Sequence, residues 1–283
     1  MFENIKEKLS LNAALVENAL AQYYDYENCD YYSLIEAQKY GLLGGGKRIR
    51  AFLTLELCRI LGGDIKNAVP YACAIEMIHA SSLIHDDMPC MDNDDVRRGK
   101  PSTHKAFGET LALLSGDVML VYAFETAINN PNLSAMVNAE AVKILAKSTG
   151  NQGMLAGQAI DTVAGQHKLD FETVLSLHRF KTGKLISASA KLGCLAAGIS
   201  DCDEKYFASV KYAEDIGLAF QIIDDILDYM EGKRELNSFL SFMSVDEAKA
   251  YADELTESGI DAICSYDDGT LVELARYLTT REY

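Results

Sequence analysis

The sequence predicts an all-α fold built as a single domain, and three observations carry that prediction. Helical periodicity runs through most of the 283 residues, with no convincing alternating strand. Only four prolines (Pro70, Pro89, Pro101 and Pro131) interrupt stretches rich in Ala, Leu, Ile, Glu and Lys, which favour helix. No short-period repeat, low-complexity tract or flexible linker divides the chain, so residues 1–283 read as one domain. At 49% hydrophobic and 24% charged, it has material for a large core.

In chain order, helices are expected over about 3–23, 32–43, 48–61 and 67–88, then 109–128 and 134–150. One long helix follows over about 170–197, then 203–230, 245–260 and 268–281. Breaks fall at breaker residues: "GGD" at 62–64, "NPN" at 130–132 and "GISDCD" at 198–203. Two of these helices are apolar for several turns and then end in paired aspartates: "YACAIEMIHASSLIHDD" (71–87) and "KYAEDIGLAFQIIDDILD" (211–228). His79, Ser82 and Asp86 are spaced by three or four, as are Gly217, Gln221, Asp224 and Asp228, so each set shares one helical face. Two interior helices of this kind could bring both carboxylate clusters to one mouth of a cavity.

A net charge of −16 and a pI near 4.7 argue against a nucleic-acid partner, because no broad basic surface exists to neutralise phosphates. The basic residues are local: Lys47, Arg48 and Arg50, then Arg97, Arg98, Lys100 and Lys105. Such islands suit a small anionic ligand. The seven cysteines form no CxxC pair and are odd in number, which speaks against a disulfide framework or thiolate zinc site and for a reducing compartment. "MFENIKEKLS" is not a signal peptide, and no apolar run approaches 18 residues. The expectation is a soluble, cytoplasmic protein with no membrane span.

"HDDMPCMDNDDVRRGKP" (85–101) crowds five aspartates into ten residues. Two carboxylates about 4 Å apart repel by roughly 4 kcal/mol at an effective dielectric of 20, so such a cluster needs solvent or a counter-charge. A calcium loop starting at Asp92 fails, since Arg97 stands where glycine is required and Thr103 where the last ligand belongs. A solvated acidic loop and a magnesium site remain. The DDxxxxD spacing of Asp86, Asp87 and Asp92 suits magnesium, with Arg97 and Arg98 as phosphate partners. "FQIIDDILD" offers a second cluster in Asp224, Asp225 and Asp228, flanked by large apolar residues. Its alternative is a helix whose charges simply face solvent.

"GLLGGGKRIRAFL" (41–53) begins like a P-loop, but Arg48 follows Lys47 where Ser or Thr is needed. An NTPase is rejected. A glycine-rich turn carrying Lys47 and Arg50 into a helix start still suits phosphate, against the plainer reading of a basic helix cap. His79 by itself reads more readily as a core histidine than as a ligand residue. Lys181 and Thr182 in "HRFKTGK" say little alone, and the tyrosines between Tyr23 and Tyr32 suit packing or an interface.

Together these segments resemble the trans-isoprenyl diphosphate synthases (polyprenyl synthetases), in particular the bacterial short-chain farnesyl and geranylgeranyl diphosphate branch. The matching stretches are "GGGKRIR", "IEMIHASSLIHDDMPCMDNDDVRRGKPSTHKAFGE", "LLSGDVML", "GMLAGQAIDTV", "HRFKTGKLISAS" and "AFQIIDDILD", in the family's order over about 35–230. The resemblance implies the isoprenoid synthase fold, ten or more helices around a central cavity, and a homodimer. It implies magnesium-dependent head-to-tail condensation of isopentenyl diphosphate with an allylic diphosphate such as dimethylallyl, geranyl or farnesyl. Asp86, Asp87, Asp92 and Asp224 would hold about three magnesium ions, and Arg97 and Lys181, with Thr182 and Gln221 nearby, would grip the allylic diphosphate. Lys47, Arg50, His79 and Arg98 would bind isopentenyl diphosphate. Catalysis would rest on Asp86, Asp87, Arg97, Lys181 and Asp224.

In this family the fifth residue before the first aspartate often forms the cavity floor, and here it is Ser81, beside Ser82. It lies about 7.5 Å below Asp86 along a helix. A small residue there points to a twenty-carbon rather than a fifteen-carbon product, unless another helix supplies a bulky floor. One departure stands out: after Met230 the family's mobile loop, with its further aspartate and lysine, is short by roughly a dozen residues. The intact motifs favour a segment missing from the chain as read over a true deletion, and Lys233 is not assigned the loop lysine's role. Two other classes stay open. A catalytically silent regulatory subunit would be expected to lack motif aspartates, and a terpene cyclase would lack Lys47, Arg50 and His79.

Overall fold

Helix-forming sequence with few breakers yields thirteen α-helices among the residues described by the computed structural model, 2–26, 29–164, 167–233 and 235–280. They are α1 (Glu3–Tyr23), α2 (Tyr32–Leu42), α3 (Ile49–Ile60), α4 (Ile65–Asp86), α5 (Thr103–Phe107), α6 (Glu109–Ile128) and α7 (Ala135–Thr149). Then come α8 (Met154–Ala164), α9 (Phe171–His178), α10 (Lys184–Ala196), α11 (Glu204–Met230), α12 (Val245–Ile263) and α13 (Thr270–Thr279). The breakers double as caps. Asp64, Ser134, Asp170, Asp203 and Ser244 each accept a backbone N–H at the start of α4, α7, α9, α11 and α12. Ser244 and Glu247 complete a capping box.

Helix α4 is the axis of the fold. It is apolar around most of its circumference, as a fully enclosed helix must be, and it packs on α3, α6 and α10. Pro70 lies inside it and cannot bond the carbonyl one turn earlier. That carbonyl, on Lys66, instead accepts the Asn132 side-chain amide at 2.7 Å, and Asn130 serves the Asn67 carbonyl at 2.9 Å. The "NPN" break thus repairs the proline. One apolar core joins α4, α6, α7 and α10; a second joins α1, α3, α11, α12 and α13.

Four features differ from the sequence expectation. A two-residue antiparallel hairpin pairs Val96–Arg97 (β1) with Lys100–Pro101 (β2) around Arg98 and Gly99, both with positive φ. A ladder this short leaves no alternation to read. The helix expected over 170–197 is instead α9 and α10 joined by a π-helical turn, Arg179–Gly183. Helix α8 was not expected at all. Helix α6, whose best window has a mean hydropathy of 1.6, is long and apolar enough to cross a membrane by length and composition, although no run near 18 was anticipated. It packs against α4 through Ala112, Gly116, Met119, Ala123 and Ala127, leaving Leu113, Leu114, Val118, Val121 and Ile128 exposed.

The connection after α11 is short. Its described backbone turns at once, with N–H groups of Glu231, Gly232 and Lys233 bonding back to Leu227, Tyr229 and Asp228. Phe239 then donates its N–H to the Asp225 carboxylate at 2.9 Å. Arg234 lies outside the described residues.

At the far end, Asp268 caps Thr270 and pairs with Arg59 of α3 at 2.8 Å. The Thr270 hydroxyl, working against partial burial and aided by Arg59, pulls its pKa down to about 2. Its stabilising contribution is therefore full above the ordinary carboxylate value and disappears as pH falls through about 2. Asp268→Asn should lower the melting temperature at pH 7, with the gap closing near pH 2; a gap unchanged across that range would contradict the assignment.

Candidate active site

A cavity of about 410 Å³ opens beside the C-terminal half of α4, walled by α6, the α7–α8 junction and the π-turn. Seven residues singled out from sequence line it: Arg50, His79, Ser81, Ser82, Asp86, Lys181 and Thr182. Leu113, Leu120, Met154 and Leu155 supply apolar wall. The Ser81 and Ser82 hydroxyls donate back to the carbonyls of Ile78 and His79 at 2.8 and 2.9 Å, so they add no bulk and no unsatisfied polarity.

The acidic edge carries charge that its surroundings do not favour. Burial raises the Asp86 carboxyl to about 6, against the pull of Lys181, while Asp92 adds repulsion. Asp92 is raised for the same leading reason, with Asp161 and Asp94 repelling and Lys181 attracting. Asp87 is 2% exposed and its carboxylate takes the Arg97 guanidinium, with Nε at 2.9 Å; Asp94 takes a second Arg97 nitrogen at 3.2 Å. Asp87, Arg97 and Arg98 line a narrow cleft adjoining the cavity. Among the described residues, no three acidic, histidine or cysteine side chains are gathered closely enough to cage a metal.

The basic edge comes from the glycine-rich turn and the hairpin. Burial holds the Arg50 guanidinium below its usual pKa, with Glu76 opposing and Arg98 adding repulsion. His79 is pushed well below its ordinary value by burial and then by Arg50, Arg98, Arg48 and Arg97, so it is neutral at pH 7. Arg48 is structural: it is 5% exposed, pairs with Glu76 at 3.1 Å and Glu17 at 3.3 Å, and so ties α1, α3 and α4 together. Arg98 donates to the Gly45 carbonyl and sits against that turn. Lys47 is not brought to the cavity. Its ammonium lies 5.2 Å from the Tyr277 ring centroid on α13.

The π-turn presents Lys181 and Thr182. Lys181 pairs with Asp161 of α8; burial works against its charge, but Asp161, Asp86 and Asp92 outweigh it and raise the pKa. Thr182 donates to Gln221 at 3.1 Å, and Gln221 donates to Asp225 at 3.3 Å. Asp225 is buried, which raises it to about 7 despite the Phe239 N–H and Gln221. Asp224, in the same turn of α11, is half-buried, and Asp228 pairs with Lys233 at 2.6 Å.

Sequence reasoning missed Gly157, Gln158 and Asp161. A Cβ on Gly157 would fall 2.2 Å from the Lys181 backbone nitrogen, so only glycine lets α8 approach the π-turn. Gln158 lines the cavity and Asp161 holds Lys181. The four-residue spacing of Gly157 and Asp161 was the available signal.

The polyprenyl synthetase family profile matches residues 32–239, most of the chain and every residue that lines the cavity. The chain belongs to that family. It is 39% identical over 268 residues to the heterodimeric geranylgeranyl pyrophosphate synthase large subunit 1 of Arabidopsis thaliana, covering 87% of this chain and 72% of that one. It is 39% identical over 264 residues to the geranylgeranyl diphosphate synthase of Cyanophora paradoxa, covering 88% and 87%. A crystal structure of an FPP/GFPP synthase from Zymomonas mobilis superposes with a TM-score of 0.91 at 36% identity, over 99% of this chain and all of that one. The sequence reading of a short-chain prenyltransferase with the all-α isoprenoid synthase fold stands on these matches.

Proposed function

We propose that this polyprenyl synthetase condenses isopentenyl diphosphate head to tail with an allylic diphosphate, releases inorganic diphosphate, and makes mainly a twenty-carbon product. The observation that carries the reading is the cavity itself, with Asp86, Arg50, His79 and Lys181 at its wall and a largely apolar remainder. Ionisation of the allylic diphosphate leaves a carbocation that must be kept from water, and the apolar wall excludes it.

The donor set fits magnesium. Asp86 and Asp92 carry charge that burial disfavours and that neighbouring carboxylates repel, as oxygen ligands awaiting a hard cation would. Asp86, Asp87, Asp92 and Asp224 would hold magnesium, which supplies stabilisation of the leaving diphosphate's charge. Lys181 presents a firmly protonated ammonium to that diphosphate. Arg97 is held by Asp87 and Asp94, and a diphosphate is an alternative anionic partner for the same guanidinium. Arg50 and Arg98 face isopentenyl diphosphate, with His79 as a neutral hydrogen-bond donor rather than a cation. The proposed place of Lys47 in that set requires it to leave the Tyr277 ring. We further propose a homodimer, supported by the exposed apolar residues of α6.

Incubation with magnesium, labelled isopentenyl diphosphate and each allylic primer, followed by sizing of products, tests the reading. A twenty-carbon product is expected; no product with any primer sinks the proposal. Ser81→Phe should shorten the product to fifteen carbons, because Ser81 is 2% exposed and borders the cavity. An unchanged product length would place the floor elsewhere.

A further inference from the structure

A second cavity of about 410 Å³ lies on the opposite side of the π-turn, between it, α11 and α12. Lys181 and Thr182 line the first cavity; His178, Arg179, Gly183 and Lys184 line the second. The π-turn thus contributes to both walls, with Lys181 and Thr182 on one side and Arg179 and Gly183 on the other. The i→i+5 hydrogen bonding of a π-turn brings residues five apart toward one side, here Arg179 at its start and Lys184, the first residue of α10. In an α-helix they would diverge by roughly 140°.

The charges on this wall are not self-compensating. Lys211 is paired with Asp215, and Glu214 accepts a hydrogen bond from Ser187 at 3.1 Å. Neither Arg179 nor Lys184 makes an ion pair among the described residues, although the chain carries 42 acidic residues against 26 basic ones. The Lys184 ammonium only overlies Phe180, 5.4 Å from its ring centroid. Arg179 and Lys184 border a concave surface without an ion pair among the described residues, and with Lys211 they outnumber Glu214 and Asp215 on its wall, which makes it a local attractor for a compact anion. Leu218 and Leu255 provide an apolar floor beside them.

We propose that this cavity binds a diphosphate group between Arg179 and Lys184, and that its occupancy is transmitted through the π-turn to Lys181 and Thr182. The binding half stands on the cavity alone; the transmitted half rests on the proposed function, because it gives Lys181 a diphosphate to hold. The diphosphate has two sources, the free inorganic co-product and the head of a prenyl product, and both share the chemistry that the two cations recognise.

The test is calorimetric titration of the full-length protein with inorganic diphosphate in a metal chelator. Wild type is expected to bind one equivalent per chain more than Arg179→Ala/Lys184→Ala, whose remaining binding is that of the active site, and the charge-preserving Arg179→Lys/Lys184→Arg as many as wild type. Turnover without added diphosphate should be unchanged in the alanine pair. At saturating isopentenyl diphosphate, which closes its own subsite to the inhibitor, inhibition by inorganic diphosphate should change from mixed to purely competitive against the allylic substrate, with the second inhibition constant weakened at least tenfold. Titration with farnesyl diphosphate separates the sources: equal affinity indicates the free co-product, tighter binding a prenyl chain on Leu218 and Leu255. Equal stoichiometry in wild type and the alanine pair overturns the site. Mixed inhibition persisting after loss of the extra equivalent overturns the transmission. No prenyl transfer with any primer while the extra equivalent still binds overturns the proposed function and leaves the site standing.

Discussion

Asp86→Ala and Asp224→Ala are each expected to lower turnover by about 10³-fold or more, equivalent to ~4 kcal/mol of transition-state stabilisation. Both lie on helices that end in paired aspartates, and both are proposed to carry the metal that meets the leaving diphosphate. The losses should not come from unfolding, and for Asp86 the stability change should have the opposite sign. Burial raises its carboxyl from the ordinary value of 3.8 to about 6. The folded state therefore disfavours the charged form, a cost that is full above pH 6 and vanishes as pH falls to about 4. It amounts to up to about 3 kcal/mol at neutral pH in chelator. Asp86→Asn should thus melt higher than wild type at pH 8 and at the same temperature near pH 4, while being nearly inactive. Near-normal turnover in either variant would refute the metal assignment, and a silent regulatory subunit would show equal inactivity in wild type.

Much of the scaffold was legible because its signals are local. The starts of α4 and α11 lie at the breaks "GGD" and "GISDCD", whose last residues Asp64 and Asp203 cap the helix that follows, and α7 starts just past "NPN", capped by Ser134. The clustering of Asp86 with Arg50, His79 and Lys181 also followed from spacing along helices joined by the family's motif order. What escaped depends on contacts across long separations. Helix α8 carries Gly157 and the β-branched Ile160, Thr162 and Val163, a weak intrinsic helix that tertiary packing holds. The π-turn has no sequence signature, and its neighbour across Gly157 is more than twenty residues away. Lys47 sits beside Arg48 and Arg50 in the chain, yet Tyr277 draws it away while Glu76 buries Arg48. Three adjacent-looking cations therefore have three different environments: an aromatic face, a buried ion pair and a cavity wall. The short connection after Met230 was visible only as a length, and its consequence, the Asp225 carboxylate holding Phe239, needed the backbone path.

Gly157→Ala should be the most damaging single-methyl change near the site. The added Cβ would lie 2.2 Å from the Lys181 nitrogen, 2.6 Å from its Cα and 2.8 Å from the Phe180 carbonyl carbon. All three are backbone atoms, so no side-chain rotation relieves the clash and α8 must move away from the π-turn. Overpacking against a well-packed neighbour costs about 1–3 kcal/mol, and a rigid backbone target puts this case at the upper end. At roughly 2–4 °C per kcal/mol, the melting temperature should fall by about 5–10 °C. The same shift pulls Asp161 from Lys181 and strains the bond from Thr182 to Gln221. A displacement near 1 Å at a substrate-positioning group costs on the order of 10²-fold in rate, so kcat should fall by that much among molecules that remain folded. Gly183→Ala is the matched control: its Cβ would meet only the His178 carbonyl at 3.7 Å, an ordinary contact, within the same turn. If Gly157→Ala melts and turns over like Gly183→Ala, then close packing of α8 is not what aims Lys181 into the cavity, and its ion pair with Asp161 would have to do so alone.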